Sequence, residues 1–310
     1  SCTNPYFYIN NDNCTDVDIL MKRYYLPVAY AMIFTVGLVG NLTCITVYLT
    51  KLHPWKSSSI IMVNLALADL LYILTLFHFQ LYGSILFLTC LAVFRYVVVM
   101  HPLRAAQVQQ KMWGIVACSA VWIIAAAKIT PMLTMLSLEK RSNVTYCLDF
   151  ASIPCVDDIR WYCWLLTALG FLLPLMVVFM CYIGIIKHLV KRPRSTGPCR
   201  VRARRMTVVI LVVFVICFLP YNILRVLRIE TRKFQEMSCM IYHIVHAAYI
   251  ISRPLAGINT FFNLALFGLS WAETLYQPLK CTCNTKDSFK GSNFVYLSFD
   301  IFTYFPVRND

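Results

Sequence analysis

Long apolar runs separated by short polar segments dominate this chain of 310 residues. Seven runs are long enough to span a membrane, because about 20 helical residues at about 1.5 Å each cross a hydrocarbon core of about 30 Å. The runs are 26–50, 58–77, 79–100, 112–136, 162–186, 206–227 and 241–268. They predict an all-α membrane protein, a seven-transmembrane helix bundle whose helices are called the first to the seventh span.

The second and third spans follow each other without a hydrophilic loop. From Ile60 to Met100 the only formal charges are Asp69 and Arg95. A continuous helix over these 41 residues would be roughly 60 Å long, about twice the thickness of the hydrocarbon core. The chain is therefore expected to turn, around 77–80. Unpaired backbone groups at that depth cost about 2–7 kcal/mol each, which makes the join unfavourable.

Charge on the polar segments predicts the orientation. The inner loops carry 12 Lys and Arg and no Asp or Glu, and they are 51–57, 101–111 and 187–205. The outer segments carry 9 charges of each sign, and they are 1–25, 137–161 and 225–240. This positive-inside pattern predicts an outer segment 1–25, a membrane domain 26–268, and a cytoplasmic helix and tail 269–310.

Composition and missing motifs exclude several classes of protein. The chain is 59% hydrophobic and 14% charged, with a mean hydropathy of +0.66, which excludes a soluble protein. A basic inner face beside anionic lipid accounts for the net charge of +14 without nucleic acid. No zinc-protease, phosphate-loop or serine-hydrolase motif is found, so no enzyme is expected. The seventh span has no Lys for a retinal Schiff base, which excludes a retinal photoreceptor. The chain also lacks the internal repeats that are typical of transporters, which counts against a transporter.

Most of the 14 cysteines lie in the spans, where thiols behave as small apolar groups. Five lie in outer segments, an odd number, so at least one is unpaired or pairs elsewhere; they are Cys2, Cys14, Cys147, Cys155 and Cys239. Two outer sequons predict N-glycosylation at Asn13 and Asn143.

Short motifs at compatible spacings recur through the spans in order. They are Gly40-Asn41, Asn64 to Asp69, Phe94-Arg95-Tyr96, Trp122, Pro174 with Tyr182, Cys217 to Pro220, and Asn263 to Phe267. With these motifs the chain resembles the rhodopsin-like (class A) G-protein-coupled receptors. Within them it is most similar to the purinergic branch that senses nucleotides and dicarboxylates. The resemblance implies a plasma-membrane receptor for a small dicarboxylate of the 2-oxoglutarate type.

A dicarboxylate requires cations at both ends, and arginine suits this because its planar fork grips a carboxylate through two donors. The resemblance places carboxylate-binding arginines at Arg225 and Arg253, with His78 and Tyr30 as further ligand contacts. Arg225 lies five residues beyond Pro220, and Arg253 lies ten residues before Asn263, so both are expected at a similar outer depth. Arg228 and Arg232 are expected to be surface charges.

Polar groups at mid-membrane form a second set, which is Asp69, Ser84, Asn259 and Asn263. Oxygen ligands of this kind suit a small hard cation, and the resemblance implies sodium bound at Asp69. The alternative is a water-filled hydrogen-bond network without an ion. No other cofactor is expected.

The resemblance also implies a conformational switch in the inner half. Pro220 removes a backbone hydrogen bond and gives the sixth span a pivot beside Phe214 and Phe218. Movement of its inner end would open a cleft at Arg95, Tyr96 and Tyr182 for a heterotrimeric G protein of the calcium-mobilising type. Leu264 and Phe267 replace the family's Pro and Tyr, which predicts no kink in the seventh span and a weakened active state.

The segment between Asp69 and Arg95 is shorter than the resemblance implies. The two residues are 26 positions apart, about half of the family's separation, so a stretch of similar length is absent, and the third helix and first outer loop are truncated. A gap in the gene model is preferred over an adapted design. By the resemblance, the missing stretch would have contained the partner of Cys147, whereas Cys14 and Cys239 remain available to form a bridge.

The chain after the seventh span is expected to form a short amphipathic helix, 270–279, with palmitoylation at Cys281 and Cys283. Three alternatives remain open. One is a truncated receptor that does not signal, and another is a receptor for a nucleotide or an anionic lipid. A transporter is the third and the least favoured.

Overall fold

The computed structural model describes residues 21–51, 56–75, 81–134, 138–141, 144–147, 156–191, 198–231 and 239–282. Its α-helices are α1 (Leu26–Lys51), α2 (Ser57–Thr75), α3 (Leu81–Met100), α4 (Pro102–Val108), α5 (Lys111–Thr134), α6 (Val156–Thr167), α7 (Leu173–Lys191), α8 (Pro198–Val213), α9 (Leu219–Thr231), α10 (Cys239–Gly257) and α11 (Asn259–Thr282). Three π-helical turns accompany them, Met21–Tyr25 before α1, Ala168–Leu172 between α6 and α7, and Phe214–Phe218 between α8 and α9.

All seven predicted spans are helical over most of their described residues. The first four are α1, α2, α3 and α5; the fifth is α6 with α7, the sixth α8 with α9, and the seventh α10 with α11. Six of these stretches are long and apolar enough to cross a membrane, and Ser57–Ile73 in the second span is a shorter apolar helix. Large apolar side chains such as Val39, Ile123 and Met180 are exposed on the outside of the bundle, as a lipid-facing surface requires. The predicted helix bundle is confirmed.

One outer segment contains a small β-hairpin that the all-α prediction misses. Strand β1 (Leu138–Arg141) pairs antiparallel with β2 (Val144–Cys147), with Leu138 opposite Cys147. The segment is too polar and too short to give a pattern that distinguishes a strand from a loop.

The second and third spans both end, on their outer side, within a few residues of the Asp69 network. Helix α2 stops six residues beyond Asp69, and α3 begins three residues before Ser84. At about 1.5 Å per residue, α2 extends only about 9 Å outward from Asp69. The turn predicted at 77–80 lies outside the described residues.

The irregular turns of the fifth and sixth spans occur next to prolines. Pro174 and Pro220 each lie two residues after a π turn, because a proline nitrogen cannot donate to the carbonyl one turn earlier. The expected irregularity at Pro220 is therefore present as the turn Phe214–Phe218. The seventh span runs through Leu264 without a break, as expected without proline there. It is interrupted instead at Ile258, whose N–H donates to the carbonyls of Pro254 and Leu255 at 3.1 and 3.2 Å.

The buried core lies at the centre of the bundle, with the third span surrounded by the second, fourth, fifth and sixth. Its largest fully buried side chains include Phe87, Phe171, Phe214 and Phe218. The chain divides after Trp271 into two units, and the described part of the second, up to Thr282, is helical.

Candidate functional site

Asp69 is the centre of a hydrogen-bond network that links three spans. Its carboxylate accepts from Ser84 Oγ of the third span at 2.8 Å and from Asn263 Nδ2 of the seventh span at 2.7 Å. All three side chains are fully buried. The structure thus brings together three of the four residues predicted for the mid-membrane polar set.

Asn259, the fourth member of that set, is buried one helical turn before Asn263. Within the described part of the chain, neither side-chain atom of Asn259 has a hydrogen-bond partner, and Asn263 Oδ1 also lacks one. Buried polar atoms are rarely left unpaired, so these oxygens are suited to bind a cation or water. The carboxylate, hydroxyl and amide oxygens present therefore fit a sodium ion.

Arg225 is the most deeply placed cation in the outer half, with 2% of its surface exposed. Its Nη2 donates to Thr167 Oγ1 at 2.8 Å and to Asn222 Oδ1 at 3.1 Å, and its Nη1 donates to the hydroxyl of Tyr82. The guanidinium carbon lies 5.6 Å from the ring centroids of both Tyr82 and Tyr221. Among the described residues no carboxylate pairs with Arg225.

A close backbone contact fixes the position of the Tyr82 ring. A Cβ atom at Gly170 would lie 2.7 Å from Tyr82 Cε1, which is closer than real contacts allow. Glycine in the π turn of the fifth span therefore lets the ring of the third span reach Arg225 of the sixth.

Two further arginines flank a single tyrosine ring between the sixth and seventh spans. The guanidinium carbons of Arg228 and Arg253 each lie 5.9 Å from the ring centroid of Tyr249. Tyr249 stacks on Tyr221 with 6.1 Å between centroids, and Tyr221 also contacts Arg225. These tyrosines join all three arginines into one cluster, here called the arginine–tyrosine cluster: Arg225, Arg228, Arg253, Tyr82, Tyr221 and Tyr249.

The expectation that Arg228 is a surface charge is wrong, because only 6% of its surface is exposed. It lies three residues after Arg225 on the same helix, so the two side chains are neighbours on one side of that helix. That spacing is the signal from which the sequence could have identified it. The aromatic members Tyr221 and Tyr249 gave no such signal, since tyrosines are frequent throughout the spans.

The other predicted ligand contacts either lie outside the arginine–tyrosine cluster or fall outside the described residues. Tyr30 is partly buried and packs against a small cluster of Ile33, Tyr72 and Ile73, which belongs to the first and second spans. His78 lies outside the described residues. Arg232 lies outside them as well.

The outer ends of the fifth and sixth spans are joined by an ion pair. Glu230 Oε1 accepts from Arg160 Nε at 2.9 Å and from Trp164 Nε1 at 2.8 Å. The three residues are here called the outer clasp. It lies about 7 Å outward of Arg225, at about 1.5 Å per helical residue.

The inner half contains the residues predicted for the switch. Phe214 stacks on Phe171 with 6.2 Å between centroids and meets Phe218 edge-on at 5.5 Å. Arg95 is buried, whereas Tyr182 and Pro220 are partly buried. The ring of Tyr96 packs against the backbone of Gly184 and against Val99 and Ile185.

The remaining predicted positions are not settled by the structure. Asn13, Cys14, Asn143 and Cys283 lie outside the described residues. Cys239 and Cys281 lie in helices α10 and α11, and nothing is described of their side chains. The bridge, the glycosylation and the palmitoylation stay predictions.

Comparison with known proteins agrees with this architecture. The model of the family "7 transmembrane receptor (rhodopsin family)" matches residues 74–263. The 2-oxoglutarate receptor 1 of Rattus norvegicus is 45% identical over 282 residues, covering 83% of this chain and 83% of the relative. That of Mus musculus is 44% identical over 281 residues, covering 82% and 83%. A purinoceptor of Gallus gallus is 32% identical over 276 residues, covering 80% and 76%.

The alignment with the rat relative indicates that some of the relative's internal residues have no counterpart in this chain. The alignment has 282 positions, whereas 83% of 310 residues is about 257, so about 25 aligned positions are empty in this chain. This agrees with a stretch missing inside the aligned part of the chain.

Proposed function

The chain belongs to the rhodopsin family of seven-transmembrane receptors and is a multi-pass protein of the plasma membrane, not an enzyme; from this premise we propose that it detects a small dicarboxylate of the 2-oxoglutarate type. Two of the relatives reported above are named for 2-oxoglutarate. The signal would pass to a heterotrimeric G protein, of the calcium-mobilising type.

The burial of Arg225 is the observation that carries this proposal. A guanidinium is always charged, and burying it without a counter-charge is costly even when neutral groups accept its hydrogen bonds. The described part of the chain supplies Arg225 with neutral acceptors and aromatic rings only. An anionic ligand would supply the missing charge and gain a strong, charge-assisted hydrogen bond.

Arg253 and Arg228 supply a second cationic end for the ligand. Both lie at the ring of Tyr249, which is linked to Arg225 through Tyr221. A molecule with one carboxylate at Arg225 and the other at this pair would bridge the sixth and seventh spans. Two carboxylates therefore fit the arginine–tyrosine cluster better than one.

Binding at this cluster can bias the sixth span because Arg225 sits between the fifth and sixth spans. A ligand shifts the population of receptor conformations by its differential affinity for them. The turn Phe214–Phe218 with Pro220 forms the pivot, and Arg95, Tyr96 and Tyr182 lie at the inner end where a G protein would bind. Movement about the pivot would thus carry the signal from Arg225 to that inner end.

Sodium at Asp69 is part of this proposal. Asp69, Ser84, Asn259 and Asn263 would hold the ion, whose charge neutralises the buried carboxylate. Ligand affinity would then depend on sodium concentration in the native receptor. Asp69→Asn should remove that dependence, and an unchanged sodium dependence would contradict the assignment.

A calcium-release assay in transfected cells tests the proposed function. Addition of 2-oxoglutarate should release calcium, and Arg225→Gln should abolish the response while surface expression persists. Arg23→Gln, which removes an exposed arginine at the outer end of the first span, is the matched control. A response to a nucleoside diphosphate but not to 2-oxoglutarate would favour a nucleotide receptor.

A receptor that does not signal is the second candidate function, and the short α2 and α3 favour it. In that case purified protein binds 2-oxoglutarate but the cells release no calcium. Surface labelling, direct binding and calcium release, measured on the same cells, separate the two candidates.

A further inference from the structure

Lys128 is a charged residue in the outer half of the fourth span, and no acidic residue pairs with it in the described part of the chain. Its side chain is partly buried, and its Nζ donates to the backbone carbonyl of Leu169 at 3.2 Å. In the opposite direction, the hydroxyl of Tyr162 donates to the backbone carbonyl of Lys128. A charge inside a span is costly, and backbone carbonyls are among the partners that such charges find. Lys128 therefore joins the fourth span to one particular carbonyl of the fifth.

The carbonyl of Leu169 lacks its regular partner on its own helix. It lies in the π turn of the fifth span, where the N–H of Leu173 donates to the carbonyl of Ala168, five residues earlier. That N–H is therefore not left for Leu169, and the next residue, Pro174, has no N–H. Lipid offers no hydrogen bonds, so such a carbonyl needs a donor from elsewhere in the protein. The ammonium of Lys128 is that donor.

The π turn determines which residues in the outer part of the fifth span face the centre of the bundle. Thr167 directly precedes the turn, and its hydroxyl accepts from Arg225 Nη2 at 2.8 Å. Cys163 lies one helical turn further out and has 1% of its surface exposed. A π turn contains one residue more than a regular helical turn, so closing it would rotate the outer part of the span by about 100° against the inner part. Thr167 and Cys163 would then turn away from the sixth span.

The position of Thr167 in turn fixes the guanidinium of Arg225. Thr167 holds Nη2, whereas the buried Nε has no hydrogen-bond partner in the described part of the chain. Nε is therefore left to donate to one oxygen of a ligand carboxylate. Where that donor points depends on Thr167, and Thr167 depends on the π turn.

We propose that Lys128 is a positioning residue for Arg225, which caps the carbonyl of Leu169 and thereby holds the π turn of the fifth span, and with it Thr167, in place. Lys128 acts through the fifth span and does not touch the ligand. That Arg225 binds a carboxylate rests on the proposed function above, whereas the capping of the π turn by Lys128 is independent of any ligand.

Lys128→Met tests the capping, because it removes the ammonium and keeps an unbranched apolar side chain. In purified receptor treated with N-ethylmaleimide, Cys163 should be labelled about tenfold faster in this variant than in the wild type, the change expected for losing one hydrogen bond to a charged group. Cys181, buried in the same span on the inner side of the turn, should stay protected in both. Lys111→Met, which removes an exposed cation from the inner end of the same helix, is the matched control. Protection of Cys163 in Lys128→Met, or equal labelling of Cys181, overturns the proposal.

Three further variants separate the capped carbonyl from general packing and serve where Lys128→Met does not fold. Lys128→Arg keeps a cationic donor for the carbonyl of Leu169, so Cys163 should stay protected. Lys128→Gln keeps only a shorter, neutral donor and should label Cys163 at an intermediate rate. Tyr162→Phe removes the other hydrogen bond between the two spans and leaves Leu169 capped, so Cys163 should again stay protected. If Tyr162→Phe labels Cys163 as fast as the Lys128 variants do, attachment of the spans and not the capped carbonyl holds the turn, and the proposal is overturned.

Binding of 2-oxoglutarate to the purified receptor tests the consequence for the site. Lys128→Met should weaken the affinity about tenfold, because Arg225 loses the hydroxyl of Thr167 that orients its guanidinium. Thr167→Val removes that hydroxyl directly, so adding it to Lys128→Met should weaken binding no further. Additive losses, or an unchanged affinity in Lys128→Met, overturn the positioning role. If Cys163 is labelled as expected and 2-oxoglutarate does not bind even to the wild type, the proposed function fails while the capping of the π turn is supported.

Discussion

The ring of Phe267 packs edge-on against Tyr48 of the first span, with 6.3 Å between the ring centroids. At this position the family pattern has a tyrosine, whose hydroxyl is a water-bridging partner that phenylalanine lacks. Phe267→Tyr should therefore raise the maximal response to agonist, because it adds a polar contact available to the active arrangement. Agonist efficacy in the calcium assay measures this.

The control for this substitution is Phe179→Tyr, which adds the same hydroxyl to an exposed side chain of the fifth span. Equal efficacy in wild type and Phe267→Tyr, at equal surface expression, would show that Phe267 does not limit the active state.

At the residue scale, sequence reasoning identified charged residues better than their surroundings. Arg225, Asp69 and Asn263 stand out because ionisable and amide groups are rare in apolar runs. The three-residue spacing from Arg225 was available as a signal for Arg228, whereas its contact with the ring of Tyr249 on another span could not be predicted. Tyr82 and Thr167 are ordinary residues of their spans, and only the folded bundle brings them to Arg225.

At the scale of helices, the outer clasp holds the fifth and sixth spans together above Arg225. Glu230→Gln and Arg160→Gln should each lower the thermal midpoint, and the double substitution should cost less than their sum. The coupling is expected at about 0.5–1 kcal/mol, because the pair is partly exposed and screened. Trp164→Phe should weaken the clasp further by removing its second donor.

Arg23→Gln is the control for the clasp substitutions, as it removes a cation from the outer end of another span. Strictly additive effects of Glu230→Gln and Arg160→Gln would mean that the contact between them does not stabilise the receptor.

The first and seventh spans meet where Gly40 faces Leu264. Gly40 is part of the family motif of the first span, whereas Leu264 replaces the proline of the family pattern. A Cβ atom at Gly40 would lie 2.4 Å from Leu264 Cδ1, so Gly40→Ala should destabilise the receptor by about 1–3 kcal/mol through overpacking. Leu264→Ala should rescue Gly40→Ala, because it removes the atoms that the new methyl group meets. Thermal unfolding of the two single variants and the double variant measures this.

The rescue is specific to this contact, so Gly268→Ala is a suitable control, with no atom within 4 Å of its added Cβ among the described residues. If Leu264→Ala worsens Gly40→Ala, the two helices do not meet as the structure has them.

Helix positions followed from the sequence because apolar runs of membrane length leave few alternatives. The π turns, the break at Ile258 and the hairpin β1–β2 did not, since they depend on how prolines and polar segments are satisfied locally. Proline identified where the fifth and sixth spans are irregular, but not that the irregularity is a π turn.

For the whole molecule, the short second and third spans decide how stable and how functional the receptor is. Both end within a few residues of the Asp69 network on its outer side, whereas the sixth and seventh spans continue outward to the arginine–tyrosine cluster. The outer half therefore has fewer helical walls than the inner half. About 25 positions of the rat relative lack a counterpart in this chain, enough for the missing walls and their loop.

Insertion of the corresponding segment of the rat 2-oxoglutarate receptor 1 between Thr75 and Leu81 should therefore stabilise the receptor and increase its surface expression. By resemblance the segment also supplies a cysteine partner for Cys147, and a native disulfide is typically worth about 2–5 kcal/mol. Replacing the inserted cysteine with serine should lose that part of the gain while keeping the part due to helix length. A linker of equal length rich in Gly and Ser is the control for insertion alone. If the linker stabilises the receptor as much as the rat segment does, the shortened helices are an adapted feature of this chain and not a loss.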